Sequence, residues 1–188
     1  MDKLLHIHIP KTAGISIQKN GAIPIISFGH RTAANIKIFE NGLIPSDKIF
    51  SFAICRNPYD RFMSSYYFYR DIYAGERDIN TEIQKYTDFK DFVLSFNNFK
   101  YKDDLQFVLQ TDFILDHNDK LLINYVGQFE IITQSWANIC HLSGNEYYPL
   151  PIKNKSTHMH WRDEYTSKMK AVVYELFRKD FNYFKYKK

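Results

Sequence analysis

Leu4-Leu5-His6-Ile7-His8-Ile9-Pro10-Lys11-Thr12-Ala13-Gly14-Ile15-Ser16 begins as a short apolar run, is closed by Pro10, and passes through turn chemistry at Lys11 to Gly14. Ile15 to Asn20 are then compatible with a helix. The stretch predicts strand, loop, helix. A loop of this kind leaves backbone N–H groups pointing outward at the positive end of a helix dipole, where anions bind. Lys11 adds a full charge, Thr12 and Ser16 add hydroxyl donors, and Gly14 lets the backbone come close to a ligand. The alternative reading of the loop alone is a plain β-turn with an exposed lysine.

The same alternation continues outward. Ile23 to Phe28 reads as a second strand ending at Gly29-His30, and Thr32 is placed to cap a helix with Ala33, Ile36 and Phe39 at helical spacing. Ile49 to Cys55 is the clearest buried strand. After Arg56, Asn57 and Pro58 have the character of N-cap and first helical residue for a helix to about Tyr69. Successive strand-loop-helix units predict an α/β fold with a central parallel sheet flanked by helices. Farther along, helices are expected over Asp88 to Phe96, Asp103 to Gln110, Phe129 to Leu142 and Tyr165 to Phe181, with a strand over Leu121 to Val126. Ser143 to Asp163 has no convincing period, and an irregular segment of that length is usually functional.

The chain of 188 residues is long enough for one ordinary core, so a single domain over 1–188 is expected. Its 17% aromatic content predicts a packed, tyrosine-rich core or cleft. The net charge of +4 is mild, and Lys185, Lys187 and Lys188 crowd the end of the chain, so charge alone does not argue for nucleic acid. Two cysteines, Cys55 and Cys140, supply neither a disulfide framework nor metal-ligand spacing, and no metal is expected. The first apolar run is too short for a signal peptide or a membrane span, from which no membrane span and a cytoplasmic location are expected.

A second group of residues narrows the reading of the loop. Arg56 stands at the end of the best strand, and Ser64 lies about two turns into the following helix, so both are expected to reach one tetrahedral anion. Arg61 lies one turn before Ser64 on the same face. An anion site after the first strand and another after a later strand, in one crevice of a parallel sheet, suit a nucleotide with phosphates at both ends. The Gly-x-x-x-x-Gly-Lys-Ser/Thr loop of nucleotide triphosphatases is absent.

His8-Ile9-Pro10-Lys11-Thr12-Ala13-Gly14-Ile15-Ser16 resembles the 5′-phosphosulfate loop of sulfotransferases that use 3′-phosphoadenosine 5′-phosphosulfate (PAPS). Arg56-Asn57-Pro58-Tyr59-Asp60-Arg61, with Ser64 and Tyr66, resembles the 3′-phosphate motif of the same family. Val126-Gly127-Gln128-Phe129-Glu130 and Asn154-Lys155-Ser156 are similar to its carbohydrate branch, which includes heparan and chondroitin 2-O-sulfotransferases and short bacterial relatives. The resemblance implies a P-loop-like strand-loop-helix that binds the phosphosulfate of PAPS, released after transfer as 3′,5′-adenosine bisphosphate (PAP). By the same implication Lys11 stabilises the leaving oxygen, Thr12, Ala13, Gly14, Ile15 and Ser16 hold the 5′ phosphate, Arg56 and Ser64 hold the 3′ phosphate, and Lys155 and Ser156 close over the nucleotide. Ile15 departs from the pattern, since many relatives carry Thr there.

Sulfuryl transfer to a hydroxyl needs a group to take the acceptor's proton. His30 follows the second strand near the edge that carries the loop, imidazole titrates near working pH, and the carbohydrate branch has a Gly-His at a comparable place whose histidine is its proposed base. The alternative is a surface histidine at a helix start. His6 and His8 alternate on one face of the first strand and are expected to be partly buried; Glu40 and Glu130 are other possible bases. The expected acceptor is a carbohydrate or glycoconjugate, although Arg70 to Asp104 mixes both signs of charge and does not announce a polyanion. A small nucleotide kinase, and a nucleotide- or polyanion-binding module using Lys100-Tyr101-Lys102, remain open alternatives.

Overall fold

The strand-loop-helix repeats build a four-stranded parallel sheet. The computed structural model describes residues 3–39, 48–72, 78–151 and 159–188. They group into two compact units, one from residues 1–56 and 110–155, the other from 57–109 and 156–188. The strands are β1 (Lys3–His6), β2 (Ile25–Ile26), β3 (Ile49–Cys55) and β4 (Tyr125–Gln128). The helices are α1 (Gly14–Gln18), α2 (Ala33–Phe39), α3 (Pro58–Tyr67), α4 (Asp78–Ile83), α5 (Phe89–Ser95), α6 (Ile132–Leu142), α7 (Trp161–Glu164), α8 (Ser167–Leu176) and α9 (Arg178–Tyr183).

In the first unit the sheet order is β2-β1-β3-β4, with every neighbouring pair parallel. His6 lies opposite Phe52, so Leu4 and His6 share a face with Phe52 and Ile54. That face packs with Ile17, Ile23, Trp136, Ile139 and Cys140 into one core. On the other face Leu5, Ile7 and Ile9 are equally inaccessible. Burial on both faces is why these strands read as near-continuous apolar runs. Trp136 is fully buried, and its indole N–H donates to the Tyr148 carbonyl at 2.8 Å. Gly127 is required by close approach: a Cβ there would lie 2.7 Å from both Ile54 Cδ1 and Ser135 Cβ.

The second unit holds the aromatic wealth. Tyr59, Phe62 and Tyr66 of α3 bury themselves with Phe89 and Phe92 of α5, with Phe96, Phe99 and Phe107, and with Phe177 and Phe181 from the end of the chain. Phe92 meets Phe96 and Phe99 edge to face at 5.5 and 5.2 Å, a preferred aromatic geometry. Local signals fix the helix starts: Asn57 accepts from the Tyr59 N–H at 3.0 Å with Pro58 at the first position, and Asp88 accepts from the Asp91 N–H at 2.7 Å. Thr166 caps α8.

Several elements differ from expectation: β2 is Ile25–Ile26 within the expected 23–28, and the helix expected over 129–142 begins at Ile132. Residues 103–110 form turns rather than a helix, because side chains of the α3 segment take the carbonyls a helix needs: Arg61 binds Val108 O and Leu105 O, and the Ser65 hydroxyl lies against Gln106 O. The fourth strand is Tyr125–Gln128 rather than 121–126, because Leu121 bridges Leu115 and Asn124 is engaged by the Ser51 side chain and backbone before the ladder begins. The last helix is divided at Phe177 into α8 and α9.

Candidate functional site

The site is built on the loop between β1 and α1. Lys11 and Ala13 hold φ at 67° and 68°, a left-handed conformation that costs a non-glycine residue on the order of 1–2 kcal/mol. Strain of this kind is concentrated at functional loops. The Thr12 hydroxyl donates to Ile9 O at 2.8 Å and is buried, so its proton serves the turn. Ser16 is buried and Ile15 is 44% exposed. With five residues α1 is little more than one turn. Its dipole is therefore a smaller contributor than the charges beside it.

Those charges are Lys11 and Arg56. Burial, and after it the Arg56 charge, lowers the Lys11 ammonium from 10.5 to about 8. Arg56 lies just past the end of β3, is nearly buried, and donates from Nη1 to the Lys11 carbonyl at 3.0 Å. Its guanidinium lies over the Phe129 ring, 4.3 Å from the centroid. Arg56 is thereby tied to the backbone of the Lys11 loop. The Arg56 charge is felt at the Lys11 ammonium, and together the two cations create a local field that favours an anion.

Three histidines line the same strand end. His6 is fully buried, with neither ring nitrogen hydrogen-bonded, and stacks between Phe52 and His8 with centroids 5.0 and 5.2 Å away. Burial first, then His8 and His30, push it well below its usual value, so it is neutral. His8 falls to about 4 through burial and the neighbouring His30. Its ring occupies the space a Gly14 side chain would need: a Cβ there would lie 1.8 Å from His8 Nε2. Gly14 thus makes room for an imidazole, a reason the sequence did not reveal.

His30 is exposed and tilted against His8 at 4.2 Å. Its Nδ1 lies 2.9 Å from the His8 carbonyl oxygen. A carbonyl only accepts, so Nδ1 carries the proton and Nε2 of the neutral ring keeps its lone pair.

The first unit brings together Lys11, Thr12, Ala13, Gly14, Ile15, Ser16, His30 and Arg56. Ser64 is a buried residue of α3, in the second unit. Arg61, one turn before Ser64, is 1% exposed and its guanidinium donates to the backbone carbonyls of Val108 and Leu105. Lys155, Ser156 and Glu40 lie outside the described residues. Sequence reasoning missed Gln110, whose buried amide grips the Arg56 main chain, accepting from its N–H at 2.9 Å and donating to its carbonyl at 2.8 Å. No local signal pointed to it. Phe129 lay inside a quoted motif, but without a role. Among the described residues no cluster could hold a metal ion, and no helix is long and apolar enough to cross a membrane.

A search of curated proteins gives no match to this chain. Among solved structures it is similar to the crystal structure of mouse sulfotransferase SULT7A1 complexed with PAP, at 13% identity and a TM-score of 0.49, covering 96% of this chain and 85% of that one. The family model described as "Sulfotransferase family" matches residues 30–187, a span that includes His30, Arg56 and Ser64 and begins after the Lys11 loop. On that match, over well more than half its length, the chain belongs to the sulfotransferase family.

Proposed function

We propose that this protein transfers the sulfuryl group of PAPS to a hydroxyl of a carbohydrate acceptor. The observation that carries the reading is the strained loop holding Lys11, bonded through the Lys11 carbonyl to the Arg56 guanidinium, with His30 tied to the His8 carbonyl beside it. The cation pair fits a donor whose phosphosulfate and 3′ phosphate concentrate negative charge. Lys11 and the backbone N–H groups of residues 12–16 take the 5′ phosphosulfate, and Arg56 takes the 3′ phosphate. Ser64 as a second 3′-phosphate contact, and Lys155 and Ser156 over the nucleotide, are proposed from sequence resemblance alone, as is the carbohydrate acceptor.

In the reaction the acceptor oxygen forms a bond to sulfur as the bond from sulfur to the bridging phosphate oxygen breaks. The acceptor proton passes to His30 Nε2, and the phosphate leaves as part of PAP. Lys11 offsets the charge that grows on the departing oxygen, which is the stage where fixed positive charge is most effective.

The test is incubation with ³⁵S-labelled PAPS and a panel of neutral and sulfated oligosaccharides. Labelled sulfate ester on a sugar, with PAP formed alongside, supports the proposal. Magnesium-dependent phosphorylation from ATP would move the protein to the kinase reading. Steeply salt-dependent nucleic-acid binding without transfer would favour a polyanion-binding module.

A further inference from the structure

Arg56 lies one residue past the last ladder pair of β3, Cys55 with Gln128, and its backbone N–H and carbonyl therefore lie beyond the regular ladder. A buried peptide group in that position needs partners. Gln110, fully buried and 54 residues away in sequence, supplies both: Oε1 accepts from the N–H at 2.9 Å, and Nε2 donates to the carbonyl at 2.8 Å. A primary amide carries one acceptor and a donor on the same planar group, so it stands in for one peptide of a neighbouring strand. Leu, Met or a carboxylate cannot make both bonds.

The clamp falls on the residue whose side chain is also restrained. The guanidinium donates to Lys11 O and lies on the Phe129 face. Main chain and side chain of a single cation are thus held by three separate segments. We infer that Gln110 is a positioning residue that presets Arg56 for the 3′ phosphate of the nucleotide, and so sets the preference for nucleotides carrying that phosphate over those lacking it. Ordering Arg56 in advance removes a cost that binding otherwise includes. The inference rests on the donor assignment made above.

The experiment measures affinity for PAP and for adenosine 5′-monophosphate (AMP), which lacks the 3′ phosphate, by calorimetry on the full chain. The proteins are wild type, R56A, Q110M, Q110E and R56A/Q110M. Q110M keeps the buried volume and loses both bonds, while Q110E keeps the acceptor. The wild type is expected to prefer PAP. R56A should abolish most of that preference, and Q110M should cut it about tenfold, the equivalent of roughly 1.4 kcal/mol, with AMP affinity changed less than about threefold. Q110E should fall between. In the R56A background Q110M should change PAP affinity by no more than about twofold, because its effect runs through Arg56.

If the wild type shows no preference for PAP, the donor assignment itself fails. If it prefers PAP and R56A loses that preference while folded Q110M keeps it, the role of Gln110 alone is overturned. Equal losses of PAP and AMP affinity in Q110M, or failure of both Q110M and Q110E to fold by near-ultraviolet circular dichroism, would make Gln110 a general structural residue and overturn the inference.

Discussion

Replacing Gly14 with Ala should destabilise this protein through one identifiable clash. Gly14 is the first residue of α1 and is not among the glycines with positive φ, so its backbone accepts Ala and the helix would gain slightly from it. The obstacle is the His8 ring: the new Cβ would lie 1.8 Å from Nε2, 2.2 Å from Cδ2 and 2.4 Å from Cε1, far inside van der Waals contact. The ring cannot move away freely, because His6 stacks on it at 5.2 Å and His30 at 4.2 Å. Overpacking of this type costs about 1–3 kcal/mol. At about 2–4 °C per kcal/mol for a chain of this size, Tm should fall by about 2–12 °C. In the H8A background the space is empty, so G14A should there be close to neutral, giving a coupling of similar size in a double-mutant cycle followed by calorimetric melting. An equal drop in both backgrounds would refute the steric reasoning.

Three further outcomes follow from the same geometry. Phe92→Ala should cost about 3–5 kcal/mol, read from urea unfolding, because it leaves a cavity among Phe62, Phe96, Phe99 and Phe107; a loss below 1 kcal/mol would contradict the packing. His30→Ala should lower kcat about a hundredfold or more with PAP affinity near normal, measured by labelled transfer and calorimetry, since general base catalysis is worth roughly that much; full activity would exclude the role. Lys11 loses its proton in the free protein near pH 8, whereas a bound phosphate restores the charge. PAP binding above pH 8 should therefore take up a proton, visible as a dependence of binding heat on buffer ionisation, and affinity should fall as pH rises through 8. The sign for stability is the reverse: the unfolded chain keeps this proton to about 10.5 and the fold loses it near 8, so this group raises stability as pH climbs from 8 to 10.5.

What could be read from the sequence was written locally. The buried run Ile49 to Cys55 matches β3, and Asn57-Pro58 marks the start of α3, because strand hydrophobicity and N-capping act over a few residues. The placement of Lys11 and Arg56 just past strand ends was legible in the same way, because the apolar runs that precede them stop there. The remainder depends on contacts distant in sequence. Residues 103–110 carry a helical pattern, yet Arg61 and Ser65 take their carbonyls, which no local window reports. Arg61, beside Asp60, reads locally as one half of an ion pair, whereas its guanidinium donates to the carbonyls of Val108 and Leu105. Gln110 is an isolated polar residue in an unremarkable stretch until folding puts it against Arg56. The role of Gly14 as space for His8 was hidden in the same way, since a glycine in a loop admits many reasons.

If the Lys11 and Arg56 cations form the donor site, the melting temperature with PAP at about one hundred times its Kd will report it. Selective binding to the folded state at that level is worth about 2.7 kcal/mol, or about 5–11 °C here. The wild type should show that rise, and K11A and R56A should lose it at the same PAP concentration. No rise in the wild type, or the same rise in all three proteins, would contradict the donor-site assignment.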